Sequence, residues 1–484
     1  MAKEVELKVE LSVEGSKALE ASGLLPGNPV SADQRTTYFD TPDGFLAKSG
    51  FSLRIRECDR KREQTVKGEG AIAAGLFVRS EWEHATKSVT PMIDDRTPIK
   101  ALLGARATTL FPQFDMQIER RTWTVLHARS EFELVLDRGM ITSGDRQTPV
   151  CEVELELKRG DPAALFDFAE KMDAVTPIRI GVLSKSERGR RLRESAIVSQ
   201  KAETLRLERD ATLAQAFQKI SGSCIRQFRL NESLIGWNNP SALHQARVSL
   251  RRLRSTISIF QPILADEMLA PIQEELRWLS GVLGRARNLD VLVLRAEDYM
   301  FVEPLRTAAK AAYADVAIAL ASQRARALLL DLARWPAVGD WLSNPETRAA
   351  LSDPARDFAI AQLERCRRRI KKSAGNLARL DDIGRHRIRK DAKRLRYCAG
   401  FFQSLFYENR QARRYKRFIG ALDRLLAELG TLNDIATGTS LLAEMGMEPP
   451  GGPDVLIGDK PRDQLIDRAT NAREEFLDAK KFWH

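Results

Sequence analysis

Residues 3–11 read Lys-Glu-Val-Glu-Leu-Lys-Val-Glu-Leu, a strict alternation of charged and apolar positions. With a side-chain period of two, Glu4, Glu6, Lys8 and Glu10 share one face of a strand, and Val5, Leu7, Val9 and Leu11 share the other. Taken alone, this is an amphipathic strand with its charges in water. The pattern recurs. Residues 51–57 (FSLRIRE) put Arg54 and Arg56 on one face, 64–67 pair Thr65 with Lys67, and Arg79, Glu81 and Glu83 share a parity in RSEWE. After a Pro-punctuated, helix-like stretch, 117–124 (QIERRTWT) and 131–137 (EFELVLD) resume the strands. Residues 151–158 (CEVELELK) align Glu152, Glu154 and Glu156. Asp161 and Pro162 then signal the start of a helix.

From about Leu205 the period changes to that of long helices rich in Ala, Leu, Arg and Glu, which puts a boundary near 199–209. Two segments repeat: 244–254 (HQARVSLRRLR) and 386–396 (HRIRKDAKRLR), with Phe260 and Phe402 in the same register, 142 residues apart. Each copy has a second match, Leu283-Gly284 with Asn288 and Leu429-Gly430 with Asp434, offset by 146. Steps of three and four place Ala246, Leu250, Leu253, Ile257 and Phe260 on one seam, and Ile388, Ala392, Leu395, Ala399 and Phe402 repeat it. Arg247, Arg251 and Arg254, like Arg389, Lys393 and Arg396, each follow a seam residue and flank the buried stripe. Two copies in matching register point to a paired basic surface, to which His244 and His386 add inducible charge. The segments 335–354, with three prolines, and 446–461, rich in Gly and Pro, read as breaks between helices.

Many β-strands with one charged face indicate a closed antiparallel barrel with a polar lumen. Charges of both signs occur on those faces, so they can neutralise one another or share a ligand. Carboxylates hold a hard divalent cation, and arginine forks grip phosphate oxygens, so a metal–polyphosphate ligand suits both sets. The expected fold class is α+β with two domains.

Composition narrows the partners. The chain has 484 residues, enough for two or more domains, and a net charge of +11, which indicates a polyanionic partner. Its five cysteines are scattered without a CxxC pair, so neither a zinc site nor a disulfide framework is expected. No GxxxxGK loop is present, and no Ser–His–Asp or Cys–His arrangement is evident. No segment is apolar for long enough to cross a bilayer, and cytoplasm is the default location. The basic helices are nearly free of stacking aromatics, Tyr397 excepted, which argues against nucleic acid.

The first two hundred residues resemble the CYTH, or triphosphate tunnel metalloenzyme, superfamily. The resemblance rests on ExExK at Glu4, Glu6 and Lys8, on Tyr38-Phe39-Asp40-Thr41, Leu53-Arg54-Ile55-Arg56, Thr65-Val66-Lys67, the Glu152–Glu156 strand and Ser184-Lys185. It implies an eight-stranded antiparallel tunnel at 1–200 that uses Mg²⁺ or Mn²⁺ to act on triphosphates. Glu4, Glu6, Glu152 and Glu154 would hold metal, although parity leaves open which of Glu152, Glu154 and Glu156 does so. Lys8, Arg54, Arg56, Lys67, Arg120 and Lys185 would bind phosphate. Glu133 and Asp137 would line the tunnel near metal or water. Residues 205–484 are similar to the CHAD family, in two repeats at about 205–340 and 350–484. The matching residues are His244, Arg247, Arg251, Arg252 and Arg254, and His386, Arg389, Lys393, Arg394 and Arg396. This resemblance implies two pseudo-symmetric helical bundles around a basic groove for inorganic polyphosphate. The expected function is therefore hydrolysis of inorganic triphosphate to pyrophosphate and phosphate, at polyphosphate granules if the groove binds them. The alternatives are an adenylate cyclase, a thiamine triphosphatase, or a non-catalytic polyphosphate- or nucleic-acid-binding scaffold.

Overall fold

A computed structural model describes the chain apart from residues 1–2, 69–71, 74, 195–196, 296–301, 373–376 and 448–461, and apart from the side chains of Lys3, Glu4, Ile72, Ala73 and Ala378. The chain forms two compact units. One is Met1–Val198 together with Ala321–Gly339; the other is Ser199–Leu320 together with Asp340–His484.

The strands of the first unit are β1 (Lys3–Glu10), β2 (Val30–Asp40), β3 (Phe51–Cys58), β4 (Lys61–Gly68), β5 (Ile72–Ala73), β6 (Leu76–Thr86), β7 (Phe111–His127), β8 (Ser130–Ser143), β9 (Arg146–Arg159) and β10 (Arg179–Ile180). The order β1-β9-β8-β7-β2-β3-β4-β6 closes through antiparallel β1–β6 pairing into the expected eight-stranded barrel. β10 adds to β1 at the rim. Two hairpins turn on two-residue loops, Asp59-Arg60 and Ala128-Arg129, all four residues at positive φ. Such loops match the twist of the flanking strands but favour Asn and Gly, which is why no turn signal marks them in the sequence.

The helices in chain order are α1 (Val13–Ala21), α2 (Phe45–Lys48), α3 (Ile99–Leu103), α4 (Ala163–Val175), α5 (Lys185–Arg193), α6 (Leu213–Glu232), α7 (Pro240–Phe260), α8 (Leu269–Arg295), α9 (Val302–Ala321), α10 (Gln323–Val338), α11 (Arg348–Leu351), α12 (Ala355–Lys372), α13 (Asp382–Phe401), α14 (Asn409–Glu444) and α15 (Arg462–Asp478). Against the barrel, α4 packs on β1, so Leu7 and Val9 are fully buried on the outer face while Lys8 is buried on the inner one. Both faces of β1 therefore leave water, which overturns the simple amphipathic reading of that strand. A capping box starts α5: Ser184 Oγ accepts from Glu187 N and Glu187 Oε2 accepts from Ser184 N. This fixes Lys185 at the first helical position, and Gly189 lets the helix close on β7, since a Cβ there would stand 2.2 Å from Phe114.

In the second unit the sequence repeat becomes a structural one. Helices α6, α7 and α8 pack in succession, and α12, α13 and α14 do the same, with α7 against α13. Every residue of the two predicted seams is buried. The equivalent Phe260 and Phe402 rings meet 5.9 Å apart. Removing such a ring typically costs about 3–5 kcal/mol.

The 335–354 segment departs from expectation. Trp335 and Pro336 lie inside the last turn of α10. Close to a helix C-terminus a proline interrupts few hydrogen bonds, so the break comes only at Gly339. Of the 446–461 segment, residues 448–461 lie outside the described residues. Among the described residues, no helix is long and apolar enough to cross a membrane.

Candidate active site and basic cluster

The charged strand faces converge on the barrel lumen, a cavity of about 300 Å³. Glu6 and Lys8 on β1, Glu154 and Glu156 on β9 and Glu133 on β8 line one side. Arg54 and Arg56 on β3 and Lys67 on β4 line the other, with Arg120 on β7 between them and Lys185 entering from α5.

Below this cavity Asp137, Glu152 and Glu154 bring carboxylate oxygens within 4.8 Å of one another. Distance alone would let this trio hold a metal, but cations already fill it. Lys185 Nζ lies 2.6 Å from Asp137, 2.5 Å from Glu152 and 2.7 Å from Glu154. Lys8 Nζ is 2.8 Å from Glu152 and also contacts Glu154. Arg120 forks onto Asp137 at 2.8 and 2.6 Å, and Arg188 reaches Glu152 at 3.1 Å. Burial opposes every one of these charges, yet the pairing wins. Lys185 and Lys8 hold Glu154 well below the usual carboxylate range and lower Glu152; Lys185 and Arg120 lower Asp137. The carboxylates in turn raise Lys8 and Lys185.

Glu6 behaves differently. Burial and the neighbouring Glu154 charge push its pKa up, and Lys8 stands 3.5 Å away. An under-compensated carboxylate beside a second, ionised one on a cavity wall is an oxygen-rich donor set that suits a hard divalent cation. At the outer rim Lys158 bridges Glu133 at 3.1 Å and Glu156 at 2.6 Å. Arg56 pairs with Glu63, and Lys67 with Glu81 at 3.1 Å.

Of the residues singled out in the sequence, Glu6, Lys8, Arg54, Arg56, Lys67, Arg120, Glu133, Glu154 and Lys185 therefore meet in one cavity. Asp137 and Glu152 lie sealed beneath it, both with no exposed surface. The side chain of Glu4 lies outside the described residues, although its backbone pairs with Arg79 of β6. Arg79 and Arg188 went unnoticed as site residues. Arg79 shares the parity of Glu81 and Glu83, and Arg188 stands three residues after Lys185 on α5, one turn along the same face. A second chamber of about 530 Å³ shares Tyr38, Ser52, Lys67 and Arg79 with the lumen and is walled by Phe51 and Phe114. Its aromatic side, where Tyr38 stacks on Phe114 at 4.6 Å, is built from residues far apart in sequence and gave no local signal.

In the helical unit the repeated arginines divide by role. Arg247, Arg389 and Lys393 lie close enough to Arg251, and Arg247 also to Arg287 of α8, for their charge to be depressed. Burial, Arg251 and Arg389 push Lys393 down to about 7; burial, Arg251 and Arg287 push Arg247 to about 10. Burial and Arg287 push His244 to about 4, so without a ligand it is neutral at pH 7. His386 instead is exposed, with Nδ1 2.5 Å from Asn433 Oδ1. Arg252 is buried, donates to Gln227 at 2.6 Å and lies over Phe401; its counterpart Arg394 donates to the Ser258 carbonyl at 2.6 Å. These two brace helices. Arg396 pairs with Asp423 at 2.7 Å, and Arg254 is exposed.

Comparison with known proteins finds two families along the chain. Residues 2–189 match the family model of the CYTH domain, and residues 219–443 that of the CHAD domain. An inorganic triphosphatase of Haemophilus influenzae is 33% identical over 206 residues, covering 39% of this chain and 54% of that protein. An uncharacterised protein of Mycobacterium tuberculosis is 32% identical over 194 residues, 35% of this chain and 36% of its own. The chain thus spans about half of the first relative's length and about a third of the second's. Among solved structures, a CHAD domain from the plant Ricinus communis is 28% identical, with a TM-score of 0.44, over 58% of this chain and 90% of its own. A Hippeastrum putative adenylyl cyclase, described as having a dominant triphosphatase activity, is 20% identical over 39% of this chain and 95% of its own, with a TM-score of 0.33. The chain carries two family domains in series, a CYTH domain at residues 2–189 followed by a CHAD domain at residues 219–443.

Proposed function

We propose that the barrel hydrolyses inorganic triphosphate to pyrophosphate and phosphate with the help of a divalent cation, and that the helical unit binds inorganic polyphosphate. The observation that carries the reading is the mixed-charge lumen, with Glu6 and Glu154 on one wall and Arg54, Arg56 and Lys67, interleaved with Glu81 and Glu83, on the other. The likeness to an inorganic triphosphatase supports the reaction class.

In this reading Arg54, Arg56, Lys67 and Arg120 grip the phosphate oxygens. Lys8 and Lys185 keep Glu154 ionised and aimed at the cavity. Glu4, Glu6 and Glu154 would hold Mg²⁺ or Mn²⁺, which when bound supplies positive charge to the transferred phosphoryl group. Glu152 and Asp137, enclosed by lysine and arginine, orient those cations. A water oriented by Glu133 attacks the terminal phosphorus in line. The bond from that phosphorus to its bridging oxygen breaks, the electron pair leaves with pyrophosphate, and the water's proton passes to the carboxylate.

Phosphate release from triphosphate, ATP and thiamine triphosphate, each with Mg²⁺ and with Mn²⁺, tests the proposal. Triphosphate should be the preferred substrate. Release from none of the three would leave the scaffold reading. A second reading, an organic triphosphate substrate, is favoured by the aromatic chamber that adjoins the lumen. Preference for ATP or thiamine triphosphate would select it.

A further inference from the structure

Helix α10 falls within the first helical repeat as the sequence bounds it, at about 205–340, yet it belongs to the barrel unit. Its Ser322 cap accepts from Ala325 N, and Leu328, Leu329, Leu332 and Trp335 are buried. It packs on α4 and on β10. Charge fixes its register. Asp167, Glu170 and Asp173 recur every three residues along α4 and face it. Arg326 Nε lies 2.6 Å from Asp173, and Arg334 lies 2.9 Å from Asp167 and 3.1 Å from Glu170. The Arg326–Asp173 pair is mostly buried, where such a pair is stronger than on the surface.

Asp173 has a second task. The oxygen that accepts from Arg326 also accepts from Ile178 N at 3.0 Å, closing the turn from α4 into β10. The next residues clasp Lys8. Ile180 pairs with Val9, and Gly181 N donates to Lys8 O at 2.9 Å. On the same edge of β1, Lys8 N donates to Gly75 O at 3.0 Å, and β9 pairs along the opposite edge. The clasp is tight: a Cβ at Gly181 would stand 2.7 Å from Lys8 Cγ, and one at Gly75 would stand 2.3 Å from Ile180. A chain of direct contacts thus runs from Arg326 through Asp173 and β10 to the backbone and stem of Lys8.

We propose that α10 is a latch that seats β10 against Lys8, and that Arg326 is a positioning residue for that lysine. The proposal rests on the barrel being the triphosphatase, so its test has one arm that does not use turnover. In the full-length protein, Arg326→Glu should speed hydrogen exchange in peptides covering 3–12 and 176–184 while leaving 51–68 unchanged. It should also lower kcat/KM for triphosphate roughly tenfold, the scale of one lost positioning contact. Arg326→Lys should restore both. Unchanged exchange at 3–12 and 176–184 overturns the latch. So does faster exchange spread evenly over the barrel, which would make α10 general support. If the parent protein releases no phosphate from triphosphate, the function reading fails and the exchange arm still decides the latch. If Arg326→Glu does not fold, Arg326→Ala gives the same comparison with a smaller perturbation.

Discussion

Arg247 donates to Asn288 Oδ1 at 3.2 Å and to the Gly284 carbonyl at 2.6 Å. In the second repeat its counterpart Arg389 stands 3.8 Å from the carboxylate of Asp434. The two halves of the basic cluster are built alike and charged differently. Asn288→Asp should therefore weaken polyphosphate binding and Asp434→Asn strengthen it, each by about fivefold, or roughly 1 kcal/mol, the scale of one partly screened charge. Titration with polyphosphate at fixed salt reads both, and two changes of the same sign would refute a shared site.

Lys393 predicts proton uptake. Its folded pKa is pushed down to about 7 by burial and by Arg251 and Arg389, against an unfolded value of about 10.4. Between those values the unfolded chain binds more protons, so this residue makes stability rise with pH across that window. A bound polyanion favours the charged form and raises the pKa. Binding at pH 8 should then take up protons and weaken as pH climbs. Calorimetry in buffers of different ionisation enthalpy measures the uptake, which Lys393→Arg should abolish.

The two tunnel glutamates should fail differently. Glu6 faces the cavity with its charge under-compensated, so Glu6→Gln should remove turnover and leave the barrel folded. Glu152 is enclosed by Lys8, Lys185 and Arg188. Glu152→Gln strands buried cations and should cost about 3–5 kcal/mol of stability. Denaturant melts beside phosphate-release assays separate the cases. An active Glu6→Gln enzyme would remove Glu6 from the proposed cation site.

Neighbouring arginines should also separate. Arg252→Ala should lower the melting temperature of the helical unit with little change in polyphosphate affinity per folded molecule. Arg251→Glu with Lys393→Glu should do the reverse, losing affinity while the helices persist. If Arg252→Ala weakens binding as much as the double variant, the division into brace and binder is wrong.

Much of this was legible because periodicity carries face information. The alternation at Glu4, Glu6 and Lys8 and at Glu152, Glu154 and Glu156 marked one face per strand, and the seam through Leu250 and Leu253 marked the buried side of a helix. Burial depth was not legible. Glu152 and Glu154 share a parity, yet one is sealed and the other lines the cavity. Arg251 and Arg252 are adjacent, yet one joins the cluster and the other packs on Phe401. Nor could the sequence show His244 losing its proton, because that shift comes from burial and from Arg287 on another helix.

By itself the sequence determined the two kinds of architecture and the residue types on each charged face, because local periodicity requires only the neighbouring residues. Only the tertiary structure decided which charges neutralise one another, where α10 docks and what surrounds Lys8. Those outcomes depend on side chains far apart along the chain that meet in a low-dielectric interior, where a few ångströms separate a held carboxylate from one open to a ligand.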